Sequence, residues 1–78
     1  METEVTIYTV ARDTNGYGPR FYNGDPGMSR WHEHPLTANY WFAPQFAEDA
    51  KDNLLFIDPG EQGVFVQEVR VTMLLVFD

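Results

Sequence analysis

The sequence predicts an α+β domain: a small antiparallel-dominated sheet of three to five strands with one helix packed on it. Two segments near the ends of the chain alternate with a period of two and are rich in β-branched residues. Between them lies one segment whose apolar residues recur at helical spacing. Clusters of Gly, Pro, Asn and Asp separate the remaining elements. The 78 residues are read as a single domain, 1–78, near the lower size at which one core suffices without staples.

Residues 4 to 11 open the sheet. Val5, Ile7, Thr9 and Ala11 fall on one face, and Glu4, Thr6, Tyr8 and Val10 on the other. Tyr8 and Val10 make the second face partly apolar, so both sides are expected to be covered near the end of this strand. Breakers then punctuate residues 13 to 27: Asn15-Gly16, Gly18-Pro19, Asn23-Gly24 and Asp25-Pro26-Gly27. Asn-Gly supplies the positive φ values of tight hairpins, which places Arg20-Phe21-Tyr22 as a short strand returning against the first. Residues 28 to 35 read as a loop or short strand pinned to the core by Trp31. The aromatic run Tyr40-Trp41-Phe42 suggests another short strand within residues 37 to 42.

The helix is expected over residues 44 to about 54. Proline suits its first position, where a backbone N–H would be unpaired anyway. Phe46, Ala47, Ala50 and Leu54 form a narrow apolar stripe, with Glu48, Asp49 and Asp52 off it. Asp58-Pro59-Gly60 then stops and turns the chain. In the last strand, residues 63 to 77, Val69, Val71, Met73, Leu75 and Phe77 line one face. The other face turns apolar at Leu74 and Val76, so the second half of this strand is expected centrally, beside the first. The expected core is Val5, Ile7, Phe46, Ala50, Leu54, Val69, Val71, Met73 and Leu75.

Composition narrows the function. Twelve Asp and Glu against five Lys and Arg give a net charge of −7. Such a body repels nucleic acid and membranes and is drawn to basic surfaces. The absence of cysteine removes disulfides and thiolate metal sites together. The longest apolar run is far shorter than the roughly 20 residues of a spanning helix. The start Met-Glu-Thr-Glu is acidic where a signal peptide would be basic, so a cytoplasmic location is expected.

Candidate chemistry is sparse. His32-Glu33-His34 could chelate one metal ion from an extended segment, but a zinc site needs a third and usually a fourth ligand. Glu48 and Asp52 at i, i+4, and Asp49 and Asp52 at i, i+3, share helix faces. A catalytic carboxylate pair needs burial that pushes two pKa values apart, and these residues oppose the apolar stripe. Ser29 is the only serine, and nothing around it resembles a nucleophile elbow. Tyr17, Phe21, Tyr22, Trp31, Tyr40 and Trp41 could stack bases, yet stacking platforms sit in positive grooves. The acidic excess also continues past the helix through Asp58, Glu61 and Glu68. No enzyme activity, cofactor or metal is expected.

The order of elements resembles a loose group of small phage-encoded domains with a β-β-(β)-α-β pattern. Their shared positions correspond here to residues 8–10, Phe21-Tyr22, Trp31, residues 37–42, residues 46–54 and residues 69–73. Size, acidity and the lack of catalytic motifs also resemble those of small anti-CRISPR proteins of phages, some of which mimic the charge pattern of duplex DNA. This resemblance implies a partner: the DNA-entry surface of a CRISPR effector complex, inside a bacterial host cell.

The resulting expectation is a monomeric stoichiometric inhibitor that blocks the nucleic-acid-binding site of such a complex or of another host defence protein. Duplex DNA carries about one charge per 1.7 Å of axis. Glu48, Asp49 and Asp52 on the helix, extended by Asp58 and Glu61, are the expected partner-binding residues. They are expected to form one exposed anionic surface. The alternative is a small phage adaptor that binds a protein through the aromatic loop of residues 21 to 41, with acidity serving solubility. A third reading uses His32 and His34 in a small metal-binding or enzymatic domain.

Overall fold

The computed structural model describes residues 2–14 and 16–74. The elements are β1 (Glu2–Asp13), β2 (Pro19–Tyr22), β3 (Trp31–His32), a 3-10 turn (Pro35–Thr37), α1 (Pro44–Ile57) and β4 (Val64–Leu74). The four strands form one sheet in the order β3-β2-β1-β4, every neighbouring pair antiparallel. This is the α+β arrangement expected from the sequence, with α1 packed against β1 and β4.

The strand β1 organises the sheet. It pairs with β4 from Glu2↔Leu74 through Arg12↔Val64. Thr9, Val10 and Ala11 are all fully buried. Consecutive strand residues point to opposite faces, so both faces are covered at this end. The hairpin to β2 is much shorter, pairing only Ala11↔Phe21 through Asp13↔Pro19. Gly16 and Gly18 adopt φ of +94° and +83° in its turn, the left-handed region that side chains disfavour. The Thr14 hydroxyl closes this turn by donating to the Gly18 carbonyl at 2.6 Å.

Trp31 begins β3, so the segment around it includes a short strand. The aromatic run forms less strand than expected. Pro35–Thr37 winds into the 3-10 turn, and Trp41 alone reaches β1, exchanging two backbone hydrogen bonds with Tyr8 at 2.8 and 2.9 Å. Asn23, buried beneath this loop, donates to the Thr37 carbonyl and accepts from the Asp25 amide. Its polar groups are thereby satisfied, as burial requires.

Two expectations about burial and order are corrected. First, β4 is an edge strand: it lies beside β1, as expected, but is not central. Second, the core is smaller than the apolar pattern suggested. Among the described residues the buried apolar ones are Ile7, Val10, Ala11, Phe21, Ala38, Ala47 and Leu54, whereas Val5, Ala50, Val69, Val71 and Met73 are half-buried. Length explains this. Eleven paired residues of β1 and β4 extend about 36 Å, while the 14 residues of α1 cover only about 21 Å. The ribbon therefore runs beyond both the helix and β2. Leu75, Val76 and Phe77 lie outside the described residues.

The helix begins at Pro44, as expected, and continues three residues past Leu54 because no breaker intervenes before Asp58-Pro59-Gly60. Ala47 and Leu54 are its buried residues. Phe46, expected in the core, is 54% exposed. Successive helix residues turn by about 100°, and the fully buried Ala47 sets the orientation that leaves its neighbour Phe46 outside. Among the described residues no helix is long and apolar enough to cross a membrane.

Candidate functional site

The five expected partner-binding carboxylates separate into two groups. Glu48, Asp49 and Asp52 lie on the exposed side of α1. Glu48 Oε2 pairs with Lys51 Nζ at 2.9 Å, one turn along the helix. Asp49 and Asp52 have no ion-pair partner among the described residues, so their charge faces solvent uncompensated.

Asp58 and Glu61 instead belong to a structural clamp. Asp58 follows α1 and donates its backbone N–H to the Leu54 carbonyl. Its Oδ1 accepts from the Gly60 amide at 3.2 Å, tightening the turn. Its Oδ2 accepts from Arg30 Nη1 at 2.9 Å. Glu61 accepts from the same Arg30 nitrogen at 3.3 Å and from Arg12 Nη1 at 2.8 Å. The Arg12 guanidinium lies 4.3 Å from the centroid of the Trp31 ring, and Trp31 packs against Tyr22 with centroids 5.8 Å apart. The hydrogen bonds that Arg30 donates to Asp58 and then to Glu61 hold its pKa above its ordinary value. Two carboxylates thus face two guanidiniums, and the Glu61 side chain is only 11% exposed. Glu61 therefore does not extend an exposed anionic surface, and Asp58 is neutralised locally. Arginine suits this role because its planar fork can serve two carboxylates at once.

Sequence reasoning missed the apolar part of the outer helix face. Phe56 is 86% and Ile57 72% exposed. Phe56 follows Asp52 by four residues and Asp49 by seven, which places all three on one side of the helix. Phe46 and Ile57, eleven residues apart, lie beside them. The signal was present in the sequence: with Ala47 and Leu54 fixed as the buried pair, helical spacing points Phe56 outward.

No family model, curated protein or solved structure matches the chain.

The other candidates are occupied by local structure. His32 Nε2 donates to the Ser29 carbonyl at 2.7 Å, and its Nδ1 lies 3.2 Å from Thr37 Oγ1. His34 caps the 3-10 turn, its Nδ1 accepting from the Leu36 amide. Among the described residues no three His, Asp or Glu side chains are grouped to hold a metal ion. In the aromatic loop Phe21 is buried with Ala11 and Ala38, and Tyr22 and Trp31 pack on each other. Tyr40 and Phe42 meet edge to face with centroids 6.0 Å apart, and Phe42 remains largely exposed.

Proposed function

We propose that this protein is a non-enzymatic stoichiometric inhibitor that occupies the cationic surface of a nucleic-acid-binding protein. A CRISPR effector complex or another host defence protein is the partner that the resemblance points to. The observation that carries this reading is the outer side of α1, where the unpaired Asp49 and Asp52 sit among the exposed Phe46, Phe56 and Ile57. From Glu48 to Asp52 the helix rises about 6 Å and carries three acids, of which Glu48 is paired with Lys51, against about one charge per 1.7 Å of duplex axis.

The two kinds of side chain do different work. Carboxylates steer the encounter and pair with Arg and Lys that otherwise hold phosphates. Exposed aromatic rings supply the desolvated anchors on which most interface energy rests. A solvated helix face needs the first but not the second. That is why Phe56 weighs more in this reading than the acidic count.

Salt dependence tests the proposal. Displacement of labelled duplex DNA from a purified effector complex is followed by fluorescence anisotropy at low and high ionic strength. The reading expects displacement that weakens steeply as salt rises. Displacement unaffected by salt would assign the interface to the aromatic residues alone and favour the adaptor reading.

A further inference from the structure

The free edge of β4 supports an inference independent of the helix surface. β4 pairs with β1 along its eleven residues, and no strand pairs with its other side among the described residues. Tyr8 exchanges both its backbone hydrogen bonds with Trp41, so its N–H and C=O point away from β4. Backbone groups alternate along a strand. The odd-numbered residues of β1 therefore bond to the odd-numbered residues of β4. The N–H and C=O groups of Val64, Val66, Glu68, Arg70, Thr72 and Leu74 point outward along the open edge.

We propose that this edge pairs with the same edge of a second copy, antiparallel about Val69, joining two four-stranded sheets into one. Outward groups must meet outward groups, so the two-fold axis has to pass through a residue position. Centring on Glu68 or on Arg70 sets like charges against each other, which is destabilising across strands. Centring on Val69 sets Glu68 opposite Arg70 of the second copy, twice by symmetry, and matches the whole span of residues 64–74. Both side chains are exposed; pairing gives up a 3.8 Å ion pair from Arg70 to Glu4 and the 3.0 Å hydrogen bond that the Glu68 carbonyl accepts from Gln67 Nε2.

Open edges are commonly guarded by charge. Here the two charges have opposite sign and the spacing that self-pairing requires. Pairing would also cover more of Val69, Val71 and Met73, which are half-buried in the single chain. The two-fold axis stands perpendicular to the sheet, so both copies of α1 lie on one side and the acidic helix faces are doubled. This departs from the monomer expected from the sequence.

Analytical ultracentrifugation of the full chain across a concentration series tests the proposal. The wild type is expected to dimerise reversibly. Glu68→Arg should weaken the dimer about tenfold or more by setting Arg against Arg in both pairs. The charge swap E68R/R70E should restore association to near the wild-type level. Should either charge variant fail to fold by circular dichroism, Thr72→Pro provides the same test, since it removes one outward N–H without breaking the β1 ladder. A wild type that stays monomeric at about millimolar concentration overturns the proposal. So does a dimer indifferent to Glu68→Arg or Thr72→Pro, or a charge swap as weak as the single variant.

Discussion

Arg12 donates a 2.8 Å hydrogen bond to Glu61, a carboxylate whose side chain is almost out of solvent in an otherwise strongly acidic chain. That contact joins β1 to the turn between α1 and β4. Arg30 adds the loop before β3 by bonding to Glu61 and Asp58 together. The clamp ties the short hairpin side of the sheet to the helix end.

Glu61→Gln should therefore destabilise the fold, because two guanidiniums lose a charged acceptor. Hydrogen bonds to charged groups contribute roughly 1.5–3 kcal/mol. Arg12 and Arg30 remain a third to a half exposed, and solvent screening reduces the effect to about 1 kcal/mol. A melting temperature lower by about 4–8 °C is expected. Asp49→Asn, which loses no partner, should melt with the wild type.

Leu54→Ala should cost about 2–5 kcal/mol, enough to unfold much of so small a domain. Phe46→Ala should change stability by less than about 1 kcal/mol, since its ring is more than half exposed. Urea denaturation of the two variants checks the orientation of α1. Equal losses would place Phe46 in the core after all.

Much of the fold was legible in the sequence. The β1 alternation, the Phe21-Tyr22 return strand, the Pro44 helix start and the pairing of β1 with the last strand all follow local rules that the structure obeys. What failed depended on tertiary geometry. The apolar stripe of Phe46, Ala47, Ala50 and Leu54 did not reveal that Ala47 would be fully buried and Phe46 turned outward. The apolar residues of β4 suggested a central strand, but the helix is too short to cover them. For the candidate surface, Glu48, Asp49 and Asp52 were placed correctly on the exposed helix side. Glu61 was not, because its partners Arg12 and Arg30 lie 49 and 31 residues away, beyond any local pattern.

Phe56→Ala separates anchor from steering. The ring is almost wholly exposed, so melting should hardly change. Affinity for a cationic partner should fall about tenfold if Phe56 is an interface anchor, while the salt dependence stays as steep. Isothermal titration calorimetry at two ionic strengths reads both quantities. An unchanged affinity would leave Phe56 outside the interface.

Charge reversal of the outer helix face tests the central claim most directly. The variant E48K/D49K/D52K should fold, since exposed ion pairs contribute at most about 1 kcal/mol each, and circular dichroism verifies this first. Wild type and variant are then compared for displacement of duplex DNA from the same purified effector complex. The account predicts displacement by the wild type and none by the folded variant, whose lysines would face the partner's own cations. Equal displacement by the two proteins would contradict it.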